Sequence, residues 1–418
     1  MTQHAIRRLW RGRSYRLFAI GQLVSQLGTW TRSVAQGWLV YRLTGSTVWL
    51  GIIAACQQVP LVVLASLGGS LADRHRRRTI LVATQAAAML LSFALAGLAL
   101  CGELRLPHMV VLAVLSGVVG ALDMPARQSF VVELVGREQL RTAVAINSSI
   151  SMVAASLGPA LAGFGVQAVG EGWCFFADGV SFAAVIAGLL AMRDLPAPRA
   201  PGATEPLAAR IAVGFRFARR HAAVRALLGL LAITALAGLP YGTLFPVFAA
   251  EVFHGDARAL GGLSAACGLG ALLGSAVTAL RRGSHRDVGR ASAALGALLI
   301  AFALSHRLWL SLALLVPLGA ATMIQVSETH TLIQLATPDA LRGRVMAIWA
   351  MIFMGFAPLG VLAASYAASQ VAPGVPLAIG GAICLGAAAR FMRSAERMAA
   401  DPPETDAGSR PAARETRR

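Results

Sequence analysis

Chemistry in this chain is confined to two polar stripes and one cluster of an acid with arginines. Gln22, Ser25, Gln26, Thr29, Arg32, Ser33 and Gln36 recur at steps of three and four, which puts all seven on one face of a helix. Thr322, Gln325, Glu328 and Thr329 follow the same steps in the second half. Both stripes lie inside apolar runs long enough to cross a membrane, where polar groups cannot face lipid. The first stripe therefore lines a cavity or forms a polar seam between helices. On a rise of about 1.5 Å per residue, Arg32 lies roughly 12–15 Å from the end of its run. Left on lipid at that depth it would cost on the order of 2.5–3.5 kcal/mol. Groups of this kind recognise and exchange protons rather than make bonds. Arg32 suits an anionic or phenolic cargo group, and Glu328 is the best-placed acid to carry a proton. A fixed Arg–acid pair that only holds helices together is the alternative.

The third cluster is Gly68-Gly69-Ser70-Leu71-Ala72-Asp73-Arg74-His75-Arg76-Arg77-Arg78, between the apolar runs Val48–Leu67 and Thr79–Leu100. A lone acid followed by four arginines within five residues must sit outside hydrocarbon, and the positive-inside rule puts it on the cytoplasmic side. Its two glycines permit close approach of helix ends, and Asp73 can reach a helix N-terminus nearby.

Composition excludes a soluble enzyme. Hydrophobic residues make up 56% and charged residues 13%, with a mean hydropathy of +0.66, so too little polar surface remains to solvate a globular domain. The net charge of +18 comes from arginines in short clusters between apolar runs; no lysine is present. That pattern sets membrane topology and does not suggest nucleic acid. The five cysteines and eight histidines are dispersed, without CxxC, HExxH, GxSxG or P-loop spacing. No metal site, cofactor or nucleophile–base pair is expected.

Behind the stripes stand the spans. The first half reads as helices over Leu17–Tyr41, Val48–Leu67, Thr79–Leu100, His108–Met124, Ala143–Val169 and Trp173–Met192. The second reads as Ala226–Ala249, Leu260–Leu280, Ala291–Ser305, Leu308–Leu332, Val345–Ala368 and Val375–Met392. Asp123 and Arg127 are expected to pair at i,i+4 where the fourth helix ends. The stretch Gln128–Thr142 reads as a short amphipathic connector, and Asp178 as an acid near a helix end that snorkels to water. Gly158, Pro159 and Gly163 form a small-residue motif around a proline, suited to close packing of a neighbouring helix. The organisation expected is a six-helix bundle over 1–192, a linker over 193–225, a second bundle over 226–392 and a disordered tail over 393–418. Within the linker, Leu207, Ile211, Phe215 and Ala218 oppose Arg210, Arg216, Arg219 and Arg220, as in a helix lying on an anionic inner leaflet.

The halves repeat. Leu134–Arg141 matches Leu335–Arg342 at an offset of 201 residues, and Pro159 and Pro358 follow at nearly the same offset. Placing the Arg clusters on one side requires about twelve spans with both termini cytoplasmic.

The Gly68–Arg78 stretch resembles the signature between helices 2 and 3 of the major facilitator superfamily, with Arg76 where that signature has its second glycine. Gly158-Pro159 with Ala162-Gly163 resembles the helix 5 motif of superfamily exporters. Trp30–Val40, Pro125–Gln128 and Leu341–Met346 look like the branch that contains bacterial enterobactin exporters, the transmembrane secretion effectors. The resemblance implies an all-α membrane protein with about twelve helices in two six-helix pseudo-repeats around a central cavity. It also implies a monomeric exporter in the bacterial inner membrane, working by alternating access and proton antiport on a siderophore-like or drug-like molecule. An importer, or a transport-inactive sensor or scaffold of the same fold, is the competing reading. On this basis Gly69, Asp73, Arg74, Arg77 and Arg78 are expected to gate, and Gln22, Gln26, Thr29, Arg32, Gln36 and Gln325 to line the cavity. Glu328 and Asp123 are expected to couple protons, with Glu328 meeting Arg32 across the cavity because helices 1 and 10 both border it in that fold.

Overall fold

The computed structural model describes residues 8–192, 207–281 and 283–400, and every regular element among them is helical. Hydrocarbon offers the backbone no partner but itself, which makes helix the form of each apolar run. α1 is Arg13–Thr44, α2 Thr47–Arg74 and α3 Arg77–Leu100. Leu106–Val169 is one helical stretch broken at Gly136, whose φ of 69° and ψ of 175° lie outside any helix. The break divides it into α4 (Leu106–Gly136) and α5 (Glu138–Val169). α6 is Glu171–Ala191. A linker helix, Leu207–Arg220, precedes the second half. There α7 is Ala222–Val252, α8 Ala257–Leu280 and α9 His285–Ala303. α10 is Leu308–Ala336, α11 Asp339–Gln370 and α12 Gly374–Ala400.

Among the described residues, ten helices are long and apolar enough to cross a membrane. α1, diluted by its polar stripe, and α9, which opens on His285-Arg286-Asp287, complete twelve. The repeat holds in three dimensions. The matched segments Leu134–Arg141 and Leu335–Arg342 contain the α4–α5 break at Gly136 and the α10–α11 link at Thr337 and Pro338.

Several boundaries differ from the sequence reading. α2 continues through Gly68 and Gly69 to Arg74, so only His75 and Arg76 link it to α3. No proline interrupts that stretch, and the helix tolerates two glycines. The expected connector Gln128–Thr142 is helical except at Gly136. α12 runs past Arg393 to Ala400. On the linker helix, Ala218 is buried and Phe215 exposed. Gly214 docks on α11, where a Cβ would stand 2.9 Å from the Arg344 carbonyl oxygen. The side chains of Leu207, Arg210 and Ile211 lie outside the described residues.

α7 is irregular. Thr234–Gly238 and Phe248–Val252 wind as π turns, and Pro240–Leu244 tightens to a 3-10 turn between them. Pro240 and Pro246 each remove one backbone donor, which explains why the winding changes there.

The packing shows which end is closed. Near the end of the bundle away from the Arg clusters, one hydrophobic core joins both halves: Leu39, Val40 and Ile53 share it with Leu244, Phe245, Phe248 and Leu263. Towards the Arg-rich end the core divides. Phe18, Phe130, Val131 and Leu189 form one part within the first half, and Leu227, Ile333, Val345 and Phe391 form another within the second. Hydrogen bonds between the halves follow the same rule among the described residues. Thr47 Oγ1 donates to the Ser365 carbonyl at 2.7 Å, joining α2 to α11. The Tyr41 hydroxyl donates to Glu251, joining α1 to α7.

Candidate functional site

A cavity of about 630 Å³ lies between the halves, on the inner side of that closed end. α1 contributes Trp30, Ser33, Gln36 and Gly37, and α2 contributes Gln57 and Gln58. Ala155 and Pro159 of α5, Tyr241 and Thr243 of α7, Ser264 and Cys267 of α8, and Phe353 of α11 complete the polar and aromatic part of the wall. No ionised side chain lines it among the described residues. Its size is within the roughly 300–1,000 Å³ of small-molecule sites, and its wall of apolar surface with a few amides and hydroxyls is typical of them. The Tyr241 hydroxyl is held 3.3 Å from Cys267 Sγ and 3.4 Å from Thr322 Oγ1, which fixes a phenol at the cavity edge.

The first stripe splits between cavity and seam. Ser33 and Gln36 face the cavity, together with Trp30 and Gly37. Thr29 and Arg32 turn into the first half instead. Arg32 Nε lies 3.0 Å from Asp178 Oδ2 on α6, and Arg32 donates through NH1 to Gln36 Oε1 at 3.0 Å. Asp178 also accepts from Ser92 of α3 at 2.7 Å and from Thr29 at 3.5 Å. Asp178 is fully buried. The expected snorkelling is therefore wrong: α1, α3 and α6 close over the carboxylate, and hydrogen bonds from α1 and α3 replace water. Gly28 makes room for it, since a Cβ there would stand 2.9 Å from Asp178 Oδ1. Gln36 is thus a hinge between cavity and ion pair.

Gln22 and Asp123 belong to a second buried network nearer the Arg-rich end. Asp123 accepts from Thr84 at 2.8 Å, from Gln85 at 2.9 Å and from Arg127, the i,i+4 partner expected from the sequence. Arg127 donates in turn to Gln22 Oε1 at 2.9 Å. Neither Gln22 nor half-buried Gln26 lines the cavity.

The second stripe does not meet the first. Glu328 is buried, with its carboxylate against Gly283 in the α8–α9 link, at the Arg-rich end of the second half. It has no ion-pair partner among the described residues, and the expected meeting with Arg32 is not present. A period of three and four specifies the face of a helix but not its neighbour. Gln325 and Thr329 are fully buried, and their side-chain polar atoms lack partners among the described residues.

At the α2–α3 turn, Arg77 pairs with Glu133 of α4, and Arg78 donates to the Leu190 carbonyl at 2.9 Å. Both contacts stay within the first half. The side chains of Asp73 and Arg74 lie outside the described residues. Gly68 passes against the Ala121 carbonyl with no room for a Cβ, whereas Gly69 has open space.

The small-residue motif joins α5 to two helices. Thr31 of α1 donates to the Gly158 carbonyl at 3.1 Å, and a Cβ on Gly158 would stand 3.2 Å from the Leu27 carbonyl. Gly163 meets α8 of the other half, where a Cβ would stand 2.9 Å from the Ala257 carbonyl and 3.0 Å from Gly261 Cα. Pro159 donates no backbone hydrogen bond, so the Ala155 carbonyl is left without a helical partner, and Gly268 of α8 packs against it. Gly261 and Gly268 were not singled out from the sequence; glycines three to seven residues apart on an apolar helix were the available signal.

Over residues 9–411 the chain matches the family described as transmembrane secretion effector. It is 22% identical over 345 residues to the staphyloferrin A transporter of Staphylococcus aureus, covering 82% of this chain and 86% of that protein. It is 26% identical over 355 residues to the enterobactin exporter EntS of Shigella flexneri, covering 83% and 81%. Among solved structures it superposes on a POT family transporter in complex with 5-aminolevulinic acid with a TM-score of 0.75 at 11% identity, over 93% of this chain and 96% of that one.

Proposed function

We propose that this chain, which belongs to the transmembrane secretion effector family of major facilitator transporters, exports a small organic molecule across the bacterial inner membrane by proton antiport. The observation that carries this reading is the cavity between the halves, uncharged itself but joined through Gln36 to the buried Arg32–Asp178 pair. If the positive-inside rule puts the Arg-rich end in the cytoplasm, the closed end faces outward and the halves part towards the cytoplasm. Such a state takes cargo from inside, the first step of export. The bundles 1–192 and 226–392 then rock about the cavity, with 193–225 as the tether between them. Asp73, Arg74, Arg77 and Arg78 close the cytoplasmic side in the alternate state.

The wall selects cargo. Without an ionised group to meet, a charged molecule would lose its hydration for little return. The site suits a neutral, amphipathic, siderophore-like or drug-like molecule that stacks on Trp30 and Phe353 and hydrogen-bonds to Gln36, Gln57, Gln58 and Tyr241.

Asp178 is the coupling carboxylate in this reading, in preference to Glu328 and Asp123. Ionised Asp178 holds Arg32, and Arg32 holds Gln36 turned towards it. A proton on Asp178 loosens that hold and frees Gln36 for cargo or for closure. Cargo and proton then alter each other's affinity through one shared side chain, which is what antiport requires. Profiling of culture medium with and without the gene tests the export: the cargo should disappear from the medium and accumulate in cells when the gene is deleted. Unchanged medium and cell contents would defeat it.

A further inference from the structure

The two halves differ where the repeat predicts likeness. In the first half α1 and α6 pack flush near the Arg-rich end. A Cβ on Gly21 would stand 3.4 Å from Val185 Cα, and one on Gly188 would stand 3.4 Å from the Leu17 carbonyl. Their counterparts in the second half, α7 and α12, part instead. A groove of about 600 Å³ opens between them, lined by Ala226, Gly229 and Ile233 of α7 and by Ala387 and Phe391 of α12. A Cβ on Gly229 would meet nothing within 4 Å.

The Arg-rich end of the groove is lined by Arg225, Arg390 and Ser394. Both arginines are exposed, and neither has an ion-pair partner among the described residues. Arg225 NH1 donates to the Arg219 carbonyl at 2.9 Å, which steadies the guanidinium while leaving other N–H groups of its fork open. Arg219, Arg220 and Arg393 are exposed nearby in the chain. On a rise of about 1.5 Å per residue, Arg390 lies roughly 24 Å along α12 from Gly374, close to the headgroup level of a hydrocarbon core about 30 Å thick.

We propose that this groove is a site for one anionic phospholipid, with an acyl chain laid along Gly229 between α7 and α12 and the phosphate on Arg225 and Arg390. An apolar slot open to hydrocarbon and ending in two unpaired guanidiniums fits a lipid better than a soluble anion, which would leave the slot unfilled. The surrounding arginines disfavour an ethanolamine or choline headgroup, whose ammonium they repel. The proposal does not depend on which way cargo moves.

Native mass spectrometry of the delipidated full-length protein tests it, with phosphatidylglycerol, phosphatidylethanolamine and inorganic phosphate as probes. One phosphatidylglycerol should be retained over phosphatidylethanolamine by about tenfold to thirtyfold, given about 1 kcal/mol for each arginine near the surface. The R225Q/R390Q variant should lose that preference. Gly229→Leu, which fills the slot and keeps both charges, should release the lipid as well. If the double variant is not recovered folded, the Gly229→Leu variant decides alone. Equal retention of the two lipids, undiminished phosphatidylglycerol on either variant, or displacement by millimolar inorganic phosphate would overturn the proposal.

Discussion

The Arg32–Asp178 ion pair, at 3.0 Å, ties α1 to α6 within one half, while Arg32 also donates to Gln36 on the cavity wall. A charge pair of this kind does not latch the halves together. It can nonetheless feel the cavity, because Gln36 answers to both. The predictions separate that role from simple helix bracing.

Asp178→Asn leaves Arg32 buried without a counter-charge, and breaking such a pair costs about 3–5 kcal/mol. Melting of the purified protein should fall accordingly. The double variant R32Q/D178N removes both charges and should recover much of the lost stability, yet transport driven by a pH gradient should stay absent in proteoliposomes. Recovery of gradient-driven transport in the double variant would reduce the pair to a brace.

Glu328→Gln should leave gradient-driven transport close to wild type, since the carboxylate is lodged against Gly283 and away from the cavity wall. Gly283→Ala should destabilise by about 1–3 kcal/mol, because the Glu328 carboxylate occupies the space a Cβ needs. Removing the long side chain in G283A/E328A should restore part of that loss, and a double-mutant cycle on melting temperature measures the coupling. Additive losses would mean that the two positions do not touch.

The contrast between Asp178 and Glu328 shows how far the sequence could be read. Twelve spans, the Arg-rich side and the repeat around Leu134 and Leu335 depend on hydropathy, charge and self-similarity, all of which can be read along the chain without knowing which helices are neighbours. The identity of Arg32's partner depends on which helix lies beside α1, which is not local. Asp178 stands seven residues beyond Glu171, roughly 10 Å along α6 at 1.5 Å per residue, so depth alone left snorkelling open. Ser92 on α3 and Gly28 on α1 close that route, and nothing in their spacing relates them to Asp178. The α2 boundary was missed for a different reason: glycines and arginines mark a membrane edge, but a helix can continue past it into water.

At the cavity wall, Tyr241→Phe and Gln36→Leu each delete one hydrogen-bonding group without changing the charge. A neutral hydrogen bond contributes about 0.5–1.5 kcal/mol, so the KM for cargo should rise by about twofold to tenfold. Tyr241→Phe should leave the response to the pH gradient intact. Gln36→Leu should weaken it, since Arg32 then loses its link to the cavity. Identical effects of the two substitutions on gradient response would remove Gln36 from the coupling.

The closed end provides the sharpest test of alternating access. A Cβ on Gly51 of α2 would stand 2.8 Å from Ser365 Cβ of α11, and Thr47 already donates to the Ser365 carbonyl. Paired cysteines need Cβ atoms about 3.5–4.5 Å apart, so a small outward shift of α2 lets G51C/S365C form a disulfide. The five native cysteines should first be replaced, because Cys56 lies five residues from Gly51 on the same helix. Oxidation should then hold the outer end shut, arrest transport and leave cargo binding from the Arg-rich side intact, and reduction should restore turnover. The halves pack again through a second helix pair, Gly163 of α5 against Gly261 of α8, so Gly261→Leu should prevent closure by a separate route. A transporter that works by rocking must open the Gly51–Ser365 contact once per cycle. Undiminished turnover of the oxidised protein would show that this contact never parts, and that the halves do not alternate.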